Sequence, residues 1–276
     1  MIYDQIIMKL KFKINKYALV RDAFVQNFNH RKNNKSEELP FPFWKKLENR
    51  FWKKFCNESS YYLINPQYSD WGLNQIFIQA EKIGFKKTFL NTFNVLEKIY
   101  KEIIKTEEFK RLLSETEKYK NSVKKQWEEN EKFILDYFKN TLNLKIPNYA
   151  ITVYIFHPKS FCGHANSKTK TILWGHSEDW KNYTMTYLAH EILHIIINDK
   201  NHSDIIHAII ELATDNELRI RLNGKGIYFK EEGKNIGHKH LQKIEKKLLP
   251  YWKKFLKENK NKKDIFYLEK EIKNTA

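Results

Sequence analysis

Two histidines and a glutamate stand together in His190-Glu191-Ile192-Leu193-His194. Imidazoles at i and i+4 share one face of a helix about one turn apart, so both can reach a single zinc ion. Glu191, one residue along, is angled towards the open side of such an ion, where it can take a proton from an attacking water. The flanking Leu188, Ala189, Ile192, Leu193, Ile195 and Ile196 are uncharged, and a dry helix strengthens the field of a metal and fixes its ligands. Downstream, Glu211 and Asp215 are again i and i+4. Glu211 would complete a His2Glu set and leave the fourth position for water. Asp215 would accept the outer N–H of a ligating histidine and so fix its tautomer. Asp215 itself, Glu217, His202 and His207 compete for the third ligand position, and His207 shares a helical face with Glu211. A HExxHxxGxxH continuation is excluded, because Ile197 to Lys200 contains neither Gly nor His.

These residues need elements to position them. The motif falls in a predicted helix from about Tyr183 to Ile197, broken at Asn198-Asp199. Ser203 or Asp204 caps the next helix, which runs to Leu222 with Gly224 just beyond. Upstream, Ile151, Val153 and Ile155 read as a strand, and Thr171 to Trp174 as a second short one. A last long helix spans His238 to about Leu256, bent at Pro250. In the first half, Met8, Leu10, Phe12 and Ile14 alternate with lysines, which predicts a half-buried strand. Helices follow over Tyr17–Phe28, around Phe43, Leu47, Phe51 and Phe55, and from Asp70 to Ile83 with Gly84 as stop. Residues Phe85 to Leu142 read as helical, split near Lys105 by the start signal Thr106-Glu107-Glu108. Asn29 to Glu38 reads as a loop. The expected class is α+β, mostly helical: residues 1–145 form a helical N-terminal region, and residues 146–276 form a catalytic part with a small sheet.

HEILH followed closely by a helical ExxxD resembles the gluzincins, the thermolysin-like zinc metallopeptidases, in a minimal form. The resemblance covers Tyr187 to about Arg221. It implies a zincin-like fold for 146–276, zinc held by His190, His194 and Glu211, Glu191 as general base, and Asp215 behind the ligands. Sixteen residues separate His194 from Glu211, short for the larger members, so the turn between the helices must be tight. Family members often stabilise the oxyanion with a His or Tyr downstream of the Glu ligand, which makes Tyr228, His238 and His240 candidates. They also bind substrate backbone along the strand before the metal helix, which points to Ile172, Leu173 and Trp174. The implied activity is hydrolysis of peptide bonds in a peptide or protein substrate.

Composition limits the alternatives. The chain has 276 residues, 41% apolar and 15% aromatic, enough for a packed core, and only 8 Gly and 6 Pro. Cys56 and Cys162 make neither a disulfide framework nor a CxxC zinc site; Cys162 reads as a small buried thiol. Met1 to Leu10 lacks the apolar run of a secretory signal, and no stretch is long and apolar enough to span a membrane. A cytoplasmic setting is the expectation. The net charge of +17 invites a nucleic-acid reading, but six of the 50 basic residues are Arg and the lysines are scattered, which disfavours specific readout. Two rival functions remain open: a basic nucleic-acid-binding protein with a structural zinc, and a catalytically silent zincin acting as a regulator.

Overall fold

The computed structural model describes residues 8–33, 39–56, 70–84, 94–197, 203–258 and 263–275. Four strands make the main sheet: β1 (Lys9–Lys13), β2 (Ala150–Ile155), β3 (Cys162–Asn166) and β4 (Thr171–Gly175). Their order is β1-β2-β4-β3. β1 pairs parallel with β2 in the register Leu10↔Ile151, and β2 pairs parallel with β4 in the register Val153↔Ile172. β3 pairs antiparallel with β4, Gly163 opposite Trp174. The β-branched run Ile151-Thr152-Val153 suits the pleated interior of this sheet. β1 turns Lys9, Lys11 and Lys13 to solvent, the charged treatment that blunts a free sheet edge.

Helices cover both faces. In chain order they are α1 (Lys16–Asn33), α2 (Lys45–Cys56), α3 (Asp70–Ile83), α4 (Asn94–Ile103) and α5 (Glu107–Asn140). The second half adds α6 (Tyr183–Ile197), α7 (Asp204–Glu211), α8 (Arg219–Asn223), α9 (Gln242–Glu258) and α10 (Ile265–Thr275). On one sheet face Ile151, Val153, Ile172 and Trp174 pack with Leu188, Ile192 and Ile195 of α6 and with Trp127, Ile134 and Phe138 of α5. On the other, Tyr154, Phe156 and Leu173 pack with Leu19 and Phe24 of α1, Leu47 and Phe51 of α2 and Tyr100 of α4. The class is α+β, mostly helical, with a small mixed sheet between helical layers.

Several expected boundaries hold. α6 begins and ends where the sequence places it, Thr106 caps α5 by accepting from the Phe109 N–H at 3.2 Å, and Gly84 follows α3 with φ +87°. α1 runs on to Asn33, into the segment expected as a loop. β3 and α10 have no counterpart in the sequence reading. The expected break at Asn198-Asp199, the helix expected from Phe85 to Phe93 and the loop residues Asn34 to Glu38 lie outside the described residues, as does His202. Across the expected 145/146 boundary, β1 is hydrogen-bonded along β2, and α5 contributes to both apolar clusters, with Leu112 in one and Trp127 in the other. Among the described residues, no helix is long and apolar enough to cross a membrane.

Candidate active site

α6 carries the HEILH motif across the sheet. Its N-terminus is held by Glu178, whose carboxylate accepts from the Thr184 N–H at 3.3 Å, the placement that both capping and the helix dipole favour. Leu188, Ala189, Ile192 and Leu193 are buried, which turns His190, Glu191 and His194 towards a cleft of about 190 Å³ under β3. The Nε2 atoms of His190 and His194 face each other at 3.1 Å. Two nitrogens bound to one tetrahedral zinc at about 2.0–2.1 Å would lie roughly 3.4 Å apart, so the pair fits a shared ion.

Behind the pair, α7 is built to present side chains. Ser203 caps it, its Oγ accepting from the Ile206 N–H at 3.2 Å. The chain then continues without a break through a π-helical stretch, Leu212–Leu218, into α8. Side chains satisfy backbone groups there. Thr214 Oγ1 donates to Ile210 O at 2.8 Å, Asn216 Nδ2 to Glu211 O at 3.1 Å, and Arg219 Nε to Asp215 O at 2.8 Å. π-bulges of this kind cluster at functional sites. This one carries the fully buried Asp215 to the ring of His190, Nδ1 to Oδ1 at 2.9 Å. The carboxylate only accepts, so the proton lies on Nδ1 and Nε2 is the atom turned to the cleft.

The charges follow from burial and neighbours. Burial opposes a cation at His190, but the charge and hydrogen bond of Asp215 outweigh it and raise its pKa to about 9. Burial raises the Glu191 pKa to about 6, with His190 pulling the other way, and the Ala165 N–H of β3 donates to its carboxylate. Burial, helped by the nearby His190, lowers His207 to about 4, so it is neutral at pH 7.

The α7 donors divide. The ligand nitrogens of His190, His194 and His207 lie within 4.8 Å of one another, and so do donor atoms of His207, Glu211 and His238. Glu211 is fully buried. Its carboxylate turns to the Gly237–His238 turn, where it accepts from the His238 N–H at 3.0 Å and from His238 Nδ1. Gly237, at φ +75°, leaves the space in which that carboxylate sits; a Cβ there would collide with Glu211 Oε2. Glu211 also stands 3.8 Å from His207 Nε2. Glu245 of α9, fully buried, has its pKa raised to about 9 by burial and by the adjacent Glu211. Nothing in the sequence singled out Glu245 or Gly237, because only tertiary packing brings them to α7.

Other expected residues are placed differently. His238 lines the cleft with the HEILH side chains. Tyr228 does not: its hydroxyl bonds the Glu217 carboxylate and accepts from Trp252 Nε1 at 3.0 Å, which fixes the phenol against α9. The same contact, with an ion pair to Arg221 at 2.7 Å, commits Glu217 away from a ligand role. Ile172, Leu173 and Trp174, expected along the substrate, lie on β4. β4 is hydrogen-bonded on both sides, by β2 and β3, so its backbone has no free edge, and all three side chains are buried. The open edge beside the cleft belongs to β3, where Gly163 and His164 are exposed. Cys162 is partly buried.

Comparison with protein-family models, with curated proteins and with solved structures finds no match to this chain.

Proposed function

We propose that this protein is a zinc-dependent metallopeptidase. The observation that carries the reading is the convergence in one cleft of the His190 and His194 Nε2 atoms, 3.1 Å apart, with Asp215 fixing the first ring and Glu191 beside them. His190 and His194 would hold the ion with a third donor from α7. When bound, zinc supplies a Lewis acid that polarises a carbonyl and acidifies water.

The remaining work falls to the chain. Glu191 accepts the proton of the attacking water and then delivers it to the departing amine nitrogen, a role suited to a carboxyl whose pKa lies near the working pH. The Ala165 N–H holds that carboxylate against β3. An extended substrate fits along the free edge of β3, where main-chain hydrogen bonds add a strand to the sheet. His238, at the cleft wall, is placed to donate to the oxygen on which charge develops.

The test is cleavage of a mixed peptide library by the full chain, with chelator and with zinc restored. Chelation should abolish cleavage and zinc should recover it. Glu191→Gln should lose about 10²–10⁴-fold in rate while retaining its zinc; His190→Ala should lose the zinc. Chelator-insensitive cleavage, or full activity in Glu191→Gln, overturns the proposal.

A further inference from the structure

The cleft presents a third imidazole beside the His190–His194 pair. His207 lies on the face of α7 that carries Glu211, one turn earlier. Its ring centroid is 4.8 Å from that of His194 and 5.4 Å from that of His190. The ligand nitrogens of all three lie within 4.8 Å of one another, and His207 Nε2 is 3.8 Å from Glu211 Oε1. That nitrogen is buried, and among the described residues it has no hydrogen-bond partner. Buried polar atoms are almost always satisfied, and an orphan aimed at other donors calls for an explanation.

We infer that His207 is itself a metal ligand, so that His190, His194 and His207 offer three imidazoles to one ion. The inference rests on the metal-centre reading above and goes beyond it. Three imidazoles would complete a catalytic set of protein donors and leave one position for water, with His190 held from behind by Asp215 and Glu211 engaged by His238.

X-ray absorption of the zinc-loaded wild-type chain counts the imidazoles without any substitution. Three support the inference; two overturn it and leave the metal centre standing. Cobalt(II) in place of zinc gives a second readout. His207→Ala should weaken cobalt binding by at least about tenfold, the scale on which even an outer-sphere partner is felt. Its visible spectrum should differ from that of the wild type. A His207→Ala variant with wild-type affinity and spectrum overturns the inference. If wild-type chain binds zinc and cobalt no better than His190→Ala, the metal-centre reading itself falls, and the His207 assignment with it.

Discussion

Asp215 decides what His190 can offer, because a buried carboxylate on Nδ1 leaves only Nε2 for the cleft. His157 obeys the same logic outside the site. It caps the 3₁₀ turn after β2, its Nδ1 accepting from the Lys159 N–H at 3.2 Å, while Nε2 faces Glu115 at 3.2 Å. Both bonds suit the neutral ring with its proton on Nε2. Burial lowers the His157 pKa below the ordinary 6.5, and Glu115 restores only part of the shift. The unfolded chain therefore takes up this proton at a higher pH than the folded one. Its contribution to stability is complete above about pH 6.5 and is lost as pH falls towards the lower folded value. Thermal melts from pH 7 to pH 5 should show the melting temperature of the wild type falling more steeply than that of His157→Gln, which cannot titrate. Parallel curves for the two would remove His157 from the account.

Among the elements, β3 ties sheet to site. Gly163 faces the α6 side of the sheet, and a Cβ there would lie 3.1 Å from the Trp174 ring and 3.6 Å from Glu191 Oε1. Gly163→Val should push the base out of line while leaving the imidazoles alone. Misplacement of about 1 Å can cost about 10²-fold in rate, so kcat/KM should fall by that order with zinc content unchanged; full activity would show that the base tolerates the crowding. The legibility of the elements divides along the same line. α6 and α7 were readable because an apolar period and Ser203 mark them locally. β3 was not, since Cys162-Gly163-His164-Ala165-Asn166 has no β-branched residue and is a strand only because β4 pairs with it. The resemblance pointed to β4 for substrate because it was the strand recognised before the metal helix, whereas the edge of the sheet beside the cleft is β3. The π-stretch was hidden too, because side-chain bonds from Asn216 and Arg219 support it rather than helix propensity. His207 was visible as one of several competing donors; only the orphaned Nε2 singles it out.

For the whole molecule, the question is whether the residues around the HEILH motif form a unit that stands alone. A break near residue 145 is attractive on sequence because composition shifts there, while β1 and α5 pack across it. β1 covers one side of β2, and Val123, Trp127, Ile134 and Phe138 of α5 are buried in the same cluster as Ile192 and Leu193 of α6. Burial of such side chains is worth about 1.5–3 kcal/mol each, so these four contribute roughly 10 kcal/mol, comparable with the whole net stability of a typical domain, about 5–15 kcal/mol. Removing them also exposes the apolar face of α6 and leaves Trp174 Nε1 without Tyr119 Oη, now 2.8 Å away. A chain limited to residues 146–276 should therefore show no cooperative thermal transition and should not retain zinc on gel filtration, although every expected ligand is present in it. The full chain should do both. A fragment that melts cooperatively and keeps one zinc would place the boundary at 145 after all, and would reduce α1 to α5 to a separable cover on the second face of the sheet.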